Sequence, residues 1–290
     1  SYPTAPQFHE GVGPDFFSGW VKALPGGAKL SIYVHIPFCE RLCWFCACRT
    51  QGVKNLAPVE AYLEVLKLEI AKLANTIPDG VTIARLHWGG GSPTILQPAH
   101  IESLMESLRE LAPFDPDWEF SVEIDPAAVN DEKLDALAKA GMTRASIGVQ
   151  DFNDKVQKAI GREQSFEITR DIVNGLRSRG ISSINLDIVY GLPFQDSDAL
   201  KKTVAQVIEL NPDRVALFGY AHVPWMAKRQ KMIPEDSLPG ALERFEMFNQ
   251  AYGAFEGAGY VPLGIDHFAK PGDSLAVAAA EGRLRRNFQG

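Results

Sequence analysis

Residues 38–50 read FCERLCWFCACRT and hold Cys39, Cys43, Cys46 and Cys48, all four cysteines of a 290-residue chain. The residues before them, LSIYVHIP (Leu30–Pro37), are rich in β-branched and aromatic types and predict a strand. A strand that ends in a thiol-rich loop is the starting point for the fold. Pairing the thiols with one another would staple one small loop and leave the rest of the chain untouched. No export signal opens the sequence, so a reducing, cytoplasmic setting is expected, where clustered thiols are more often metal ligands.

Cys39, Cys43 and Cys46 are spaced CxxxCxxC. Three readings are open. On a helix, positions i, i+4 and i+7 share one face, which would make a small-residue packing stripe. Pro37 and the preceding strand argue against a helix here. A structural zinc site takes four ligands, commonly as two separated pairs, and a run ending Cys46-Ala47-Cys48 is cramped for that. Thiolate ligation of an iron–sulfur cluster suits a compact loop better. If three cysteines hold a cubane, one iron keeps an open position, and Phe38, Leu42, Trp44 and Phe45 would keep water away.

Outward from this loop, strand-like and helix-like segments alternate. The strands are expected at Leu30–Pro37, Val81–Trp88, Glu119–Asp125, Arg144–Gln150, Ile184–Pro193, Arg214–Pro224 and Tyr260–Phe268. Helices are expected at Pro58–Ile77, His100–Leu111, Asp131–Ala140, Phe166–Arg179, Asp198–Leu210, Pro239–Gly257 and Ser274–Glu281. Roughly six or seven β-α units in series predict an α/β fold with a parallel sheet. A barrel or incomplete barrel is favoured, with a doubly wound open sheet as the alternative.

Active sites of parallel α/β folds lie at the carboxyl ends of the strands. Unusual residues collect there: the cysteine loop, Gly89-Gly90-Gly91-Ser92-Pro93-Thr94, Glu123 and Asp125, Gln150 and Asp151, Tyr220-Ala221-His222, and Asp266 and His267. Asp187 lies inside an apolar run, where a lone carboxylate needs a partner. Each has a plainer reading: a tight turn for the glycines, a solvated strand-end charge for Glu123, a loop cap for Asp187, a satisfied core histidine for His35 and an exposed surface charge for Arg162.

The net charge of -7 gives no electrostatic case for nucleic acid or an acidic membrane, and no apolar run approaches a membrane span. The chain opens at Ser1 and ends Asn287-Phe288-Gln289-Gly290, so a trimmed polypeptide is expected.

The loop resembles the radical S-adenosylmethionine (SAM) superfamily. YVHIPFCERLCWFCAC, HWGGGSPTIL, GVQDFN, NLDIVYGLP, DHFAKP and RNFQG together resemble, over essentially the whole chain, the oxygen-independent coproporphyrinogen III oxidases of haem biosynthesis. The resemblance implies a partial (βα)6-type radical SAM barrel at 30–225, an N-terminal extension at 1–29 packing on it, and a truncated part at 226–290, with the family's C-terminal helical domain absent. It implies one [4Fe-4S] cluster on Cys39, Cys43 and Cys46, with Cys48 outside it, and one or two SAM molecules. Tyr33, Gly90 and Glu123 would meet the first SAM. Gly91, Ser92, Phe45, Gln150, Arg162, Asp187 and Ala221 would surround a second. His35, Cys48, Phe288 and Gln289 fall among the implied catalytic residues.

The implied reaction turns two propionates of coproporphyrinogen III into vinyl groups, giving protoporphyrinogen IX. It implies a flavodoxin-type reductant, an electron acceptor that the sequence does not identify, and a monomer. Arg41, Arg49, Lys228, Arg229 and Lys231 are candidates to hold the substrate carboxylates. The rival is a related haem-binding radical SAM chaperone, whose members generally lack the equivalent of Cys48.

Overall fold

Along β6 (Arg144–Gln150), the buried Ala145, Ile147 and Val149 alternate with Ser146 and Gly148. The same alternation in β7 (Ser183–Tyr190) buries Ile184, Leu186 and Ile188 and leaves Asn185 and Asp187 on the opposite face. A strand's side chains alternate across its sheet, so these segments present one apolar and one polar face. The computed structural model describes residues 7–285 and shows what each face meets.

After helix α1 (Pro14–Lys22) comes β1 (Lys29–Ile36). The short β2 (Phe38–Cys39) and β3 (Gln51–Gly52) then pair in parallel across the base of the cysteine loop. Helices α2 (Ala57–Ala74), α3 (Pro98–Leu111), α4 (Asp131–Lys139), α5 (Asp154–Ile160), α6 (Phe166–Ser178) and α7 (Ser197–Glu209) alternate with β4 (Thr82–Gly90), β5 (Phe114–Ile124), β6, β7 and β8 (Arg214–Gly219). Side-chain caps from Asn130, Asn153, Ser165 and Asp196 start α4, α5, α6 and α7.

The parallel strands are ordered β1-β4-β5-β6-β7-β8. Each new strand adds on the same side, as in a barrel, whereas a doubly wound sheet reverses at a switch point. Among the described residues β1 pairs only with β4, so the arc is open there. Its apolar face, with Val34, Leu86, Trp88, Phe120, Val122, Ile147 and Leu186, packs beneath the helices together with Leu63, Leu104, Leu137, Val173 and Val204.

Two expectations change. The single last strand is a hairpin that follows α8 (Ala241–Gly257): β9 (Val261–Leu263) and β10 (His267–Ala269), antiparallel to each other, with β10 antiparallel to β8. Gly264 at φ 68° reverses the chain between them. His267 consequently sits opposite Ala216, partway down β8 and short of its carboxyl end. Helices α1 and α5 were not expected: α5, at 7 residues, is too short to print a helical apolar period, and α1 carries one in Phe16, Phe17, Trp20 and Val21 but buries only Val21. A last helix, α9 (Ser274–Ala280), closes the described part. Among the described residues, no helix is long and apolar enough to cross a membrane.

Candidate functional site

The inner face of the arc is polar, and the strand register runs across it. Tyr33 lies beside His87, His87 beside Ser121, Glu123 beside Ser146, Ser146 beside Asn185, and Gly148 beside Asp187. The side chains join up. Tyr33 stacks on His87 with ring centroids 5.6 Å apart, and its hydroxyl is 2.9 Å from His35 Nδ1. His87 Nε2 is 3.4 Å from Glu123 Oε1, and the Gly90 N–H donates to Glu123 Oε2 at 3.1 Å. Asp187 accepts from Ser146 Oγ at 3.0 Å and from Asn185 Nδ2 at 2.7 Å. Burial pushes Asp187 up to about 6 against those two hydrogen bonds. Burial, then the Glu123 charge, pushes Tyr33 up to about 12.

The cysteine loop crosses the mouth of this arc without forming a helix, which removes the packing-stripe reading. Its ends are pinned by Gln51 N–H to Pro37 O at 2.7 Å and Val53 N–H to Cys39 O at 3.1 Å. Midway, the Trp44 N–H donates to Ile160 O at 2.8 Å. Trp44 and Phe45 rest on an apolar plate of Val156, Ile160, Val189, Leu192, Tyr220 and Ile233.

The thiols differ in state. Cys43 is buried and Cys48 exposed, and none is in a disulfide. Burial first, then the neighbouring Cys46 and Cys43, pushes Cys39 up to about 11. The Cys48 side chain draws Cys46 down to about 6, helped by the Cys48 N–H at 3.4 Å and by the charges of Arg229 and Arg162. Cys48 itself is pushed up, first by that same hydrogen bond.

Arg162 closes the site from below. It donates to Gly148 O at 2.9 Å and to Cys43 Sγ at 3.5 Å, and stands 3.4 Å from Asp125. Burial opposes its charge, but Asp125 and then Cys43 hold it protonated. Arg162 Nε and Arg41 Nη2 are buried without a hydrogen-bond acceptor among the described residues. Buried donors of this kind call for an acceptor from a ligand.

Cysteine thiols gathered in one compact loop are a donor set that suits an iron–sulfur cluster. N–H and guanidinium donors on the sulfurs are the surroundings that tune such a cluster.

The other expected residues fall unevenly. The glycine run approaches protein, not open space. A Cβ on Gly90, at φ 112°, would lie 2.5 Å from the His35 ring, and one on Gly91 would lie 2.6 Å from Phe38 O. Ser92 is buried, with its hydroxyl 3.0 Å from Thr94 Oγ1. Gln150 is buried at φ 67°, and Gly148 leaves room for its side-chain amide 2.7 Å from where a Cβ would stand. Phe45 and Ala221 take part through their carbonyls, both bonded by Gln230. Arg41 donates to Glu163 O at 2.8 Å, and Arg229 to Cys48 O at 3.1 Å and Thr50 Oγ1 at 2.8 Å. Arg49, Lys228 and Lys231 are exposed. Asp266 and His267 bond each other at 2.7 Å on the hairpin. Phe288 and Gln289 lie outside the described residues.

Sequence reasoning missed His87 and Gln230. The β1–β4 register, which the sequence does not supply, sets His87 beside Tyr33 on the polar face. Gln230 carries no such signal.

Residues 33–207 match the Radical SAM superfamily. The chain is 56% identical over 290 residues to an oxygen-independent coproporphyrinogen III oxidase of Cereibacter sphaeroides, covering 100% of this chain and 64% of that protein. Against the Escherichia coli protein of the same name it is 42% identical, covering 100% of this chain and 63% of the relative. A solved Escherichia coli coproporphyrinogen III oxidase, described as a radical SAM enzyme, superposes with a TM-score of 0.96 at 42% identity over 100% of this chain and 66% of that one. The chain thus spans just under two thirds of the length of these relatives. Matched over more than half its length, and with the thiol loop at the mouth of an open parallel arc, the chain belongs to the radical SAM superfamily.

Proposed function

We propose that this chain is the barrel portion of an oxygen-independent coproporphyrinogen III oxidase. The observation that carries the reading is the Cys39-Cys43-Cys46 loop, held over a polar-lined arc with guanidinium and N–H donors on its sulfurs. The names of the relatives at 42–56% identity supply the substrate. Cys39, Cys43 and Cys46 hold a [4Fe-4S] cluster, and Cys48 stays outside it as a hydrogen-bond partner of Cys46. When bound, the cluster with SAM would supply one-electron chemistry for hydrogen abstraction from a propionate, and the electron released on decarboxylation to the vinyl group would pass to an acceptor outside this chain.

The chain's own residues bind and orient. Glu123, fixed by Gly90 and His87, presents a carboxylate for ribose hydroxyls. Tyr33 and His35 form the wall beside it. Arg162 Nε is buried without a hydrogen-bond acceptor among the described residues, so this guanidinium has a donor to spare for an anionic group. Asp187 and Gln150 line the side assigned to a second SAM, although the Ser92 hydroxyl is occupied by Thr94. Because Arg229 and Arg41 are engaged within the protein, Arg49, Lys228 and Lys231 are the better candidates for the substrate carboxylates. A cluster that must be reduced calls for a one-electron donor, for which a flavodoxin-type protein in the cytoplasm is the proposed partner.

The test is anaerobic iron–sulfur reconstitution of this chain beside a full-length relative, with SAM and coproporphyrinogen III. Cluster uptake by the chain, SAM cleavage, and vinyl product from the full-length protein are expected. Tetrahedral zinc in the loop, or a cubane saturated by four protein thiolates, overturns the reading.

A further inference from the structure

Because the arc is open, β1 and β8 are not neighbours, and no backbone ladder joins the loops that follow them. One buried side chain does. Gln230 lies in the short 3-10 turn Lys228–Met232 and is 1% exposed. Its Nε2 donates to Phe45 O at 2.7 Å and to Ala221 O at 3.0 Å, and its Oε1 accepts from the Val223 N–H at 2.5 Å. Phe45 stands between Cys43 and Cys46, and Ala221 lies just past β8. The next residue back, Arg229, grips the loop beyond Cys46 through Cys48 O and Thr50 Oγ1. Cys46 is thereby bracketed on both sides by one turn of chain that comes from the far edge of the arc.

We propose that Gln230 is a positioning residue for the cluster ligands: it spans the open seam and fixes where the Cys46 sulfur stands relative to Cys39 and Cys43. The proposal rests on the cluster reading above for its purpose, but not for its geometry. A carboxamide suits the task because it offers two donors and an acceptor in one plane. Without it, the Phe45 and Ala221 carbonyls lose a shared donor, and the middle of the loop is held by the Trp44–Ile160 bond and the longer Arg162–Cys43 contact, neither of which comes from the β8 side of the seam. Outer partners of metal ligands matter on this scale, their loss typically costing about 10–100-fold in metal affinity.

Two variants test it. Gln230→Met keeps the volume and removes the hydrogen bonds. Gln230→Asn keeps the amide but is too short to reach all three partners. The deciding readout needs no cluster: iodoacetamide labelling of the thiol protein, with peptide mass spectrometry giving the Cys46-to-Cys39 labelling ratio. A severalfold rise in that ratio is expected in both variants, with circular dichroism unchanged. After anaerobic reconstitution, iron loss to a chelator is expected to be about tenfold faster and the reduced cluster's paramagnetic resonance spectrum broadened. An unchanged labelling ratio in whichever variant folds overturns the assignment. Failure of the unsubstituted chain to take up iron would count against the cluster reading alone, since the labelling ratio still decides the role of Gln230.

Discussion

The Asp125 carboxylate lies 3.4 Å from the Arg162 guanidinium, and the two side chains are only 16% and 10% exposed. Arg41 adds a second, longer contact at 3.8 Å. Removing one partner of a buried pair leaves an uncompensated charge, which costs about 3–5 kcal/mol. With Arg41 still present, Arg162→Met is expected to destabilise by about 3 kcal/mol, the low end of that range, in urea denaturation. The double variant Arg162→Met/Asp125→Leu is expected to recover part of the loss. A double variant no more stable than the single one would show that the pair is not the source.

At Gly91 the missing side chain is a structural necessity. A Cβ would meet Phe38 O at 2.6 Å and Ile36 O and Phe38 N at 2.9 Å, all rigid backbone. Those same strands are joined there by Gly91 N–H to Ile36 O at 2.8 Å and Ser92 N–H to Phe38 O at 2.9 Å. Gly91→Ala is expected to cost about 1–3 kcal/mol, as overpacking does. Gly253, inside α8 with nothing within 4 Å of its Cβ position, is the contrast. Gly253→Ala is expected to stabilise by about 0.5–1 kcal/mol. Chemical denaturation of the two variants side by side checks both signs.

Asp187 makes stability depend on pH. Burial, ahead of every other influence, pushes its carboxyl up to about 6 in the folded protein, above the ordinary carboxylate range. The folded state therefore binds the proton more tightly than the unfolded chain, and stability falls as pH rises through that interval. Asp187→Asn removes this burden. The variant is expected to be more stable than the parent above pH 6, with the advantage shrinking as pH falls toward 4. Urea midpoints across that range test it, and a gap that widens on acidification would contradict it.

Glu123→Gln addresses the proposed ribose contact. The substitution keeps the shape and the position opposite Gly90 and removes the charge. Charge-assisted hydrogen bonds are worth about 1.5–3 kcal/mol, so SAM is expected to bind roughly tenfold more weakly. Anaerobic titration calorimetry on the reconstituted chain reads this directly. Undiminished affinity would remove Glu123 from the nucleoside contact.

Much of the architecture was legible before any coordinates. The period of two in Arg144–Gln150 and Ile184–Tyr190, and the interleaved amphipathic helices, are local signals that tertiary packing then obeys. The hairpin was not legible. In YVPLGIDHF, Pro262 and Gly264 sit within one apolar run, and only the pairing of His267 with Leu263 shows where the chain turns. The thiol loop announced itself by composition. Its supports did not: Arg162, Arg229 and Gln230 meet it across more than a hundred residues of sequence, and a buried glutamine carries no periodic or compositional mark.

The β9–β10 hairpin also decides what the far margin of the sheet can do. An outermost ribbon of 3 residues, with Pro262 at its centre, has few free amide hydrogens to offer an incoming strand. That border is therefore a poor template for extending the sheet into a second molecule.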